Sequence, residues 1–268
     1  PRVAQADQLQ RALAMRLGVE AHCQRDAGPA GGLDGAVGLL ALAAGWQVLS
    51  LFVPPFIVPG WERIFRSLVT LPMGFVLITL ARVVAALLLS FALGLGLAVL
   101  MYASTPIERY GRPIVRLLMA VPVVCWILFA VLWFKWVEFR IAFVLVVVCA
   151  PVFLVDMLDA MRGVSKDLRD MLRAFRPTRA QLFTKLVLPA TLPAMLTSWK
   201  INLSLAIRVV TIAELVGAVT GIGYGLVVAQ ELFSVAEVFA WTLILVVLLF
   251  AAEAVLTRVE ERVLRWRV

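Results

Sequence analysis

Six stretches of this chain, at about residues 34–53, 74–102, 114–134, 140–160, 192–216 and 235–257, are nearly unbroken runs of apolar side chains. A run of about 20 such residues, coiled as a helix, matches the thickness of a bilayer's hydrocarbon core. Nothing else in the chain restricts its fold as strongly. Backbone N–H and C=O groups find no water in that layer, so each segment must be a helix or a strand of a closed barrel. The runs are continuous rather than alternating apolar with polar, which argues against a barrel. At 63% apolar residues and a mean hydropathy of +0.98 over 268 residues, the chain carries more apolar surface than one soluble core could bury. The expected fold class is an all-α membrane protein, a polytopic helical bundle of about six transmembrane helices.

The segments between the runs set the sides. Cytoplasmic placement of the amino terminus gathers 18 basic residues on that side, from Arg2 through Arg109, Arg162 and Lys185 to Arg267. The opposite side keeps 4: Arg63, Arg66, Lys135 and Arg140. The positive-inside bias therefore predicts that both termini and the 161–190 loop are cytoplasmic. Residues 1–32 read as a cytoplasmic tail or an interfacial helix with Leu9, Leu13 and Leu17 on one face; 33–268 read as the membrane domain. Gly28, Pro29, Gly31 and Gly32 are expected to break any helix before the first span. No small-residue cleavage site closes the first apolar run, so that span is expected to be retained. Pro54, Pro55 and Pro59 predict an extended external loop, with Trp61 at the headgroup level.

Several functions find no support. The basic residues, net +8, lie beside span ends and report topology rather than a nucleic-acid partner. Cys23, Cys125 and Cys149 form no CxxC pair, and His22 lies alone in the polar amino-terminal stretch, so no metal or catalytic cluster is expected. Gly217, Gly221, Gly223 and Gly225 lack the Lys-Ser or Lys-Thr of a phosphate loop, and no Walker A sequence occurs. The cluster is instead expected to end the fifth span and to permit close packing or a re-entrant turn.

One connecting segment is more than a turn. Leu168, Met171, Leu172 and Phe175 recur at helical spacing, rimmed by Lys166, Arg169, Asp170, Arg173 and Arg176. Pro177 must stop that helix, and Thr178 can cap a second one carrying Leu182, Phe183 and Leu186 towards Pro189 and Pro193. The apolar stripe needs a partner, either a separate protein or the chain's own bundle. Arg82, Lys200, Arg208, Glu214 and Glu253 fall in or near spans, where a central charge costs about 2.5–3.5 kcal/mol and is paired or faces water. Pairing with a neighbouring helix is expected for Arg82, Lys200 and Glu253. For Arg208 and Glu214, pairing and a place on a transport pathway stand level.

At Asp170 the chain resembles the permeases of bacterial ABC importers. Their cytoplasmic motif, Glu-Ala-Ala, three residues, Gly, nine residues, then Ile-x-Leu-Pro, matches Asp170-Met171-Leu172, Arg176 and Leu186-Val187-Leu188-Pro189 in spacing. In identity, Asp170 stands for Glu, Leu172 for Ala, Arg176 for Gly and Leu186 for Ile. The nitrate, sulfonate, taurine and bicarbonate group is similar in four further blocks. These are Pro54 to Pro59, Arg82-Val83, Pro122 to Trp126, and Ala213-Glu214-Leu215-Val216-Gly217 with Gly221-Ile222-Gly223-Tyr224.

The resemblance implies a type I ABC importer permease of the bacterial inner membrane, itself non-catalytic. It also implies a cytoplasmic ABC ATPase dimer holding ATP and magnesium, a second copy or a homologous permease, an external substrate-binding protein and surrounding lipid. Coupling to the ATPase falls to Leu168, Asp170, Met171, Leu172, Phe175, Arg176, Leu186 and Pro189. Arg208, Glu214, Gly217, Gly221, Gly223 and Tyr224 are the pathway or gate candidates. The implied substrate is a small anion or organic acid such as nitrate, a sulfonate, taurine or a carboxylate. Loss of the motif glycine at Arg176 leaves an unequal permease pair open beside a homodimer. From the residues alone, a secondary transporter or a polytopic membrane enzyme remains the alternative.

Overall fold

The computed structural model describes residues 29–175 and 177–264. Among the described residues there are helices and turns but no strand, as the apolar runs require. The chain divides into two packing units, Pro1–Arg63 and Ile64–Val268.

In the first unit, α1 runs from Pro29 to Phe52. It begins inside the stretch expected to break a helix, because proline in a first helical turn gives up an N–H that would have no partner there anyway. The Pro54–Pro59 segment is a turn rather than an extended loop: Pro54 O accepts from Ile57 N and Val58 N at 2.9 and 3.2 Å. It folds back along α1, with Trp46 Nε1 donating to Pro59 O at 3.1 Å and Trp61 Nε1 to Ala43 O at 3.1 Å. The helical stripe expected over residues 1–28 lies outside the described residues.

Helix α2 is Trp61–Thr70, and the second unit is built on the helices that follow: α3 (Met73–Ala103), α4 (Thr105–Ala120), α5 (Val123–Trp133) and α6 (Val137–Gly163). Then come α7 (Lys166–Arg173), α8 (Arg179–Leu182), a π-helical stretch at Phe183–Val187, α9 (Leu188–Leu215), α10 (Ile222–Glu231) and α11 (Val235–Val263). Among the described residues, α3, α6 and α11 are long and apolar enough to cross a membrane, and the α4–α5 pair makes a fourth if its bend is ignored. That bend corrects the expected third span. Residues 114–134 are not one helix but two, at 91°. Pro122 drives its predecessor out of the helical region, and Val121 accordingly sits at φ −74°, ψ 125°.

The centre is α6, packed against α3, α5 and α9. At Gly94 the α3 and α6 backbones come so close that a Cβ would stand 2.7 Å from Phe153 Cβ and 2.8 Å from Ala150 O. Small residues permit this approach where lipid supplies no hydrophobic drive for helix association. One buried cluster, including Val83, Leu87, Ile127, Ile141, Leu145, Val210 and Ala213, fills the end nearer the glycine cluster. A second, including Met101, Leu154, Met157, Met161 and Val187, fills the end nearer α7. Phe91, Phe153 and Trp199 stand between them with ring centroids 5.2–5.5 Å apart.

Helix α9 is too polar to count among the long apolar spans, and its contacts explain how it is accommodated. Ser198 donates to Asp156 Oδ2 at 2.6 Å, Ser204 to Glu253 Oε1 at 2.6 Å, and Lys200 pairs with Glu260. Neighbouring helices, not lipid, receive these three polar side chains.

Candidate functional site

Two constellations lie at opposite ends of the second unit. At the first, Glu214, in the last turn of α9, is buried with 0% exposure. Its carboxylate accepts from Arg82 Nη1 at 2.7 Å, from Gly223 N at 2.9 Å and from Thr79 Oγ1 at 2.9 Å. The Thr79 hydroxyl in turn accepts from Ile222 N at 2.9 Å. Ile222 and Gly223 open α10, so a carboxylate and a hydroxyl from other helices cap its first turn, where anions are favoured. Arg82 also donates to Thr220 O at 2.8 Å and to Glu138 Oε2 at 2.8 Å. A second contact to Glu138 makes that pair two-pronged. One guanidinium thus joins α3, α6, the tip of α9 and the turn before α10.

The glycines are the bed of this cluster. Gly221 has φ 113°, and a Cβ there would collide with the Glu214 carboxyl group. A Cβ on Gly223 would strike Thr211 O and Glu214 Cβ; one on Gly225 would enter the Trp241 ring. Gly217, at φ 145°, turns the chain beside Arg140. Tyr224 packs edge-on against Phe75 at 5.8 Å, and Phe75 stacks on Trp241 at 6.1 Å. Of the expected pathway or gate residues, Glu214, Gly217, Gly221, Gly223 and Tyr224 come together here. Arg208 does not: it is exposed on α9 and makes no ion pair among the described residues.

The second constellation is the 166–189 segment. Leu168, Met171 and Phe175 are 45%, 57% and 81% exposed, Asp170 is exposed and Leu172 half-buried. Arg169 pins the root of α7, its Nη2 donating to Met161 O at 2.8 Å and Arg162 O at 3.1 Å in the last turn of α6. Behind it, Glu108 is buried between Arg112, at 2.7 Å, and Arg162, which fastens α4 to α6. Thr178 and Gln181 form a reciprocal capping box, with Thr178 N donating to Gln181 Oε1 at 2.9 Å and Gln181 N to Thr178 Oγ1 at 3.2 Å. Leu186 is half-buried against the second cluster, so it seats the segment instead of extending its exposed face. Pro189, with no N–H for the carbonyl of Lys185, accompanies the π-helical stretch, where Leu188 N reaches Phe183 O. Arg176 lies outside the described residues.

Residues 90–265 match the family described as binding-protein-dependent transport system inner membrane component. The chain belongs to this family. The permease is 27% identical to the formylaminopyrimidine transport permease protein ThiX of Halalkalibacterium halodurans, over 88% of this chain and 96% of the relative. It is also 27% identical to the taurine transport system permease protein TauC of Escherichia coli, over 86% and 89%. Its fold is similar to that of the MetNI methionine ABC transporter in inward-facing conformations, with a TM-score of 0.63 at 20% identity over 74% of this chain and 98% of that one.

It is therefore a helical, type I ABC importer permease of the nitrate, sulfonate and taurine group. It is a non-catalytic membrane subunit of a family in which a partner ATPase hydrolyses ATP. Glu214 and Gly217 stand in the Ala-Glu-x-x-Gly block, Gly221 and Gly223 in the Gly-x-Gly-Tyr block, and folding makes these two blocks one site. Sequence reasoning missed Thr79, Glu138 and Thr220 there, and Glu108 and Asp159 near α7. Only Glu108 gave a local signal, as the first member of an i, i+4 pair with Arg112.

Proposed function

We propose that this permease forms, with a second permease, the pathway by which a small anion or organic acid enters the cell, and that α7 docks on a cytoplasmic ATPase. The carrying observation is an apolar face that no described residue covers. Leu168, Met171 and Phe175 are exposed on a helix whose root is bonded to the end of α6, the most deeply buried of the three long apolar helices. Force applied to that face reaches α6 directly and, through Gly94, α3. This is what an ATPase needs to rock a bundle. Positive-inside charge supports the cytoplasmic side for this segment and for both termini.

At the far end, Glu214, Arg82 and the glycine bed hold α3, α6, α9 and α10 as one body, a lock on the outer gate; Arg208 faces the pathway. An exposed cation there favours an anion, in keeping with a relative named for taurine. A substrate-binding protein delivers it, as the family description indicates.

Reconstitution with the neighbouring ATPase tests the docking. Phe175→Asp and Leu168→Asp, both at exposed positions, are expected to leave the permease folded but to abolish ATPase retention and substrate-stimulated hydrolysis. Retention and stimulation at the wild-type level in both variants would show that this face does not couple.

A further inference from the structure

Where α3 and α6 end and the 179–187 segment returns, a cavity of ≈ 700 Å³ opens. Its walls are of two kinds. Arg162 and Arg169 line one side, while Tyr102, Leu182, Phe183 and Val187 line the others. The Tyr102 and Phe183 rings are 6.2 Å apart. Among the described residues Arg162 shares Glu108 with Arg112, and Arg112 also faces Asp159 at 3.5 Å. Arg169 has no carboxylate partner among the described residues. Its Nη2 bonds only to main-chain carbonyls, and its Nε is buried with no acceptor among them. Main-chain carbonyls alone therefore leave the Arg169 charge only partly offset.

We propose that this cavity binds the headgroup of an anionic phospholipid, with its phosphate on Arg169 and Arg162 and an acyl chain along Tyr102, Phe183 and Val187. The cavity lies at the ends of two helices apolar enough to cross a membrane, which is the level of the headgroups. Basic recesses between membrane helices suit such headgroups. A free phosphate would use only the arginine wall; a lipid uses both. The seat requires only the bilayer. Its consequence, that leaflet composition sets the firmness of the α7 root under load, rests on the docking proposed above.

The purified permease, equilibrated with equimolar phosphatidylglycerol and phosphatidylcholine in mixed micelles, is examined by native mass spectrometry for retained lipid. Wild type is expected to retain phosphatidylglycerol in preference, and Arg169→Gln to lower that preference about fivefold, the effect of one basic group near a charged surface. Leu182→Glu places a carboxylate in the cavity without touching the carbonyl bonds of Arg169, and is expected to lower it as much. Phe175→Asp is expected to lose the ATPase yet keep the lipid preference, which separates this proposal from the docking. Equal retention of the two lipids by wild type overturns the proposal, as does an unchanged preference in both cavity variants. Displacement of the lipid by millimolar inorganic phosphate would assign a free-anion site and overturns it too.

Discussion

Glu214 receives three donors, two from α3 and one from α10, while showing no surface to solvent. Arg82 and Glu214 carry opposite charges, and breaking a buried pair costs about 3–5 kcal/mol; Arg82 would keep the largely exposed Glu138, which sets the cost at the lower end. Glu214→Gln keeps the shape but turns an NH2 towards donors that cannot accept from it. The midpoint of thermal unfolding is expected to fall by about 6–12 °C, read by following Trp fluorescence or aggregation of the purified permease. Glu138 differs, since its side chain is 68% exposed. Glu138→Gln is expected to change stability by no more than about 1 kcal/mol despite touching the same guanidinium. If Glu214 lined a water-filled path instead, Glu214→Gln would alter transport and leave the unfolding midpoint in place.

At the scale of the element, the helix expected over 192–216 starts earlier than its apolar run. Residues 179–215 form one continuous helical path through α8, the π-helical stretch and α9, and the capping box at Thr178 begins it. A lost cap costs about 1 kcal/mol. Thr178→Ala is therefore expected to speed amide exchange at Gln181 and Leu182 about fivefold, with no change beyond Thr191; uniform acceleration along α9 would show that the cap does not act locally. The Thr178 half of this cap was legible in the sequence because Pro177 stops the helix before it; the Gln181 half was not read there.

The glycine cluster was likewise legible, as the end of a helix. What it packs against was not. Thr79 and Glu214 are 135 residues apart, and nothing local in either marks the other. The bend between α4 and α5 was missed because Ile114, Leu117, Leu118 and Met119 are as apolar as the helix that follows. Hydropathy sums over a window, whereas Pro122 acts on one residue, Val121.

For the whole molecule, the decisive question is what covers the exposed face of α9. Ile201, Arg208, Ile212 and Val216 follow one another at helical spacing, and the apolar three are 52%, 38% and 40% exposed. Lipid would suit the isoleucines and the valine. It would not suit Arg208, which lies seven residues, or about 10 Å, inside the Leu215 end of the helix. A guanidinium at such depth in hydrocarbon costs up to about 3 kcal/mol, and Arg208 has no carboxylate to offset that among the described residues. The water-filled path proposed above, between two permeases, would remove the cost and give an anion a cation to follow. A cysteine at position 208, in the assembled transporter, is accordingly expected to react with a charged, membrane-impermeant thiosulfonate, whereas one at Leu89, exposed on α3, is expected to stay unmodified in lipid. Arg208→Glu, which turns the path's charge over, is expected to slow anion import about tenfold while basal ATP hydrolysis by the partner continues, because repulsion at close range in a partly dry site is worth more than 1 kcal/mol. Absence of labelling at position 208, together with undiminished import by Arg208→Glu, would put this face of α9 against lipid and move the pathway elsewhere in the bundle.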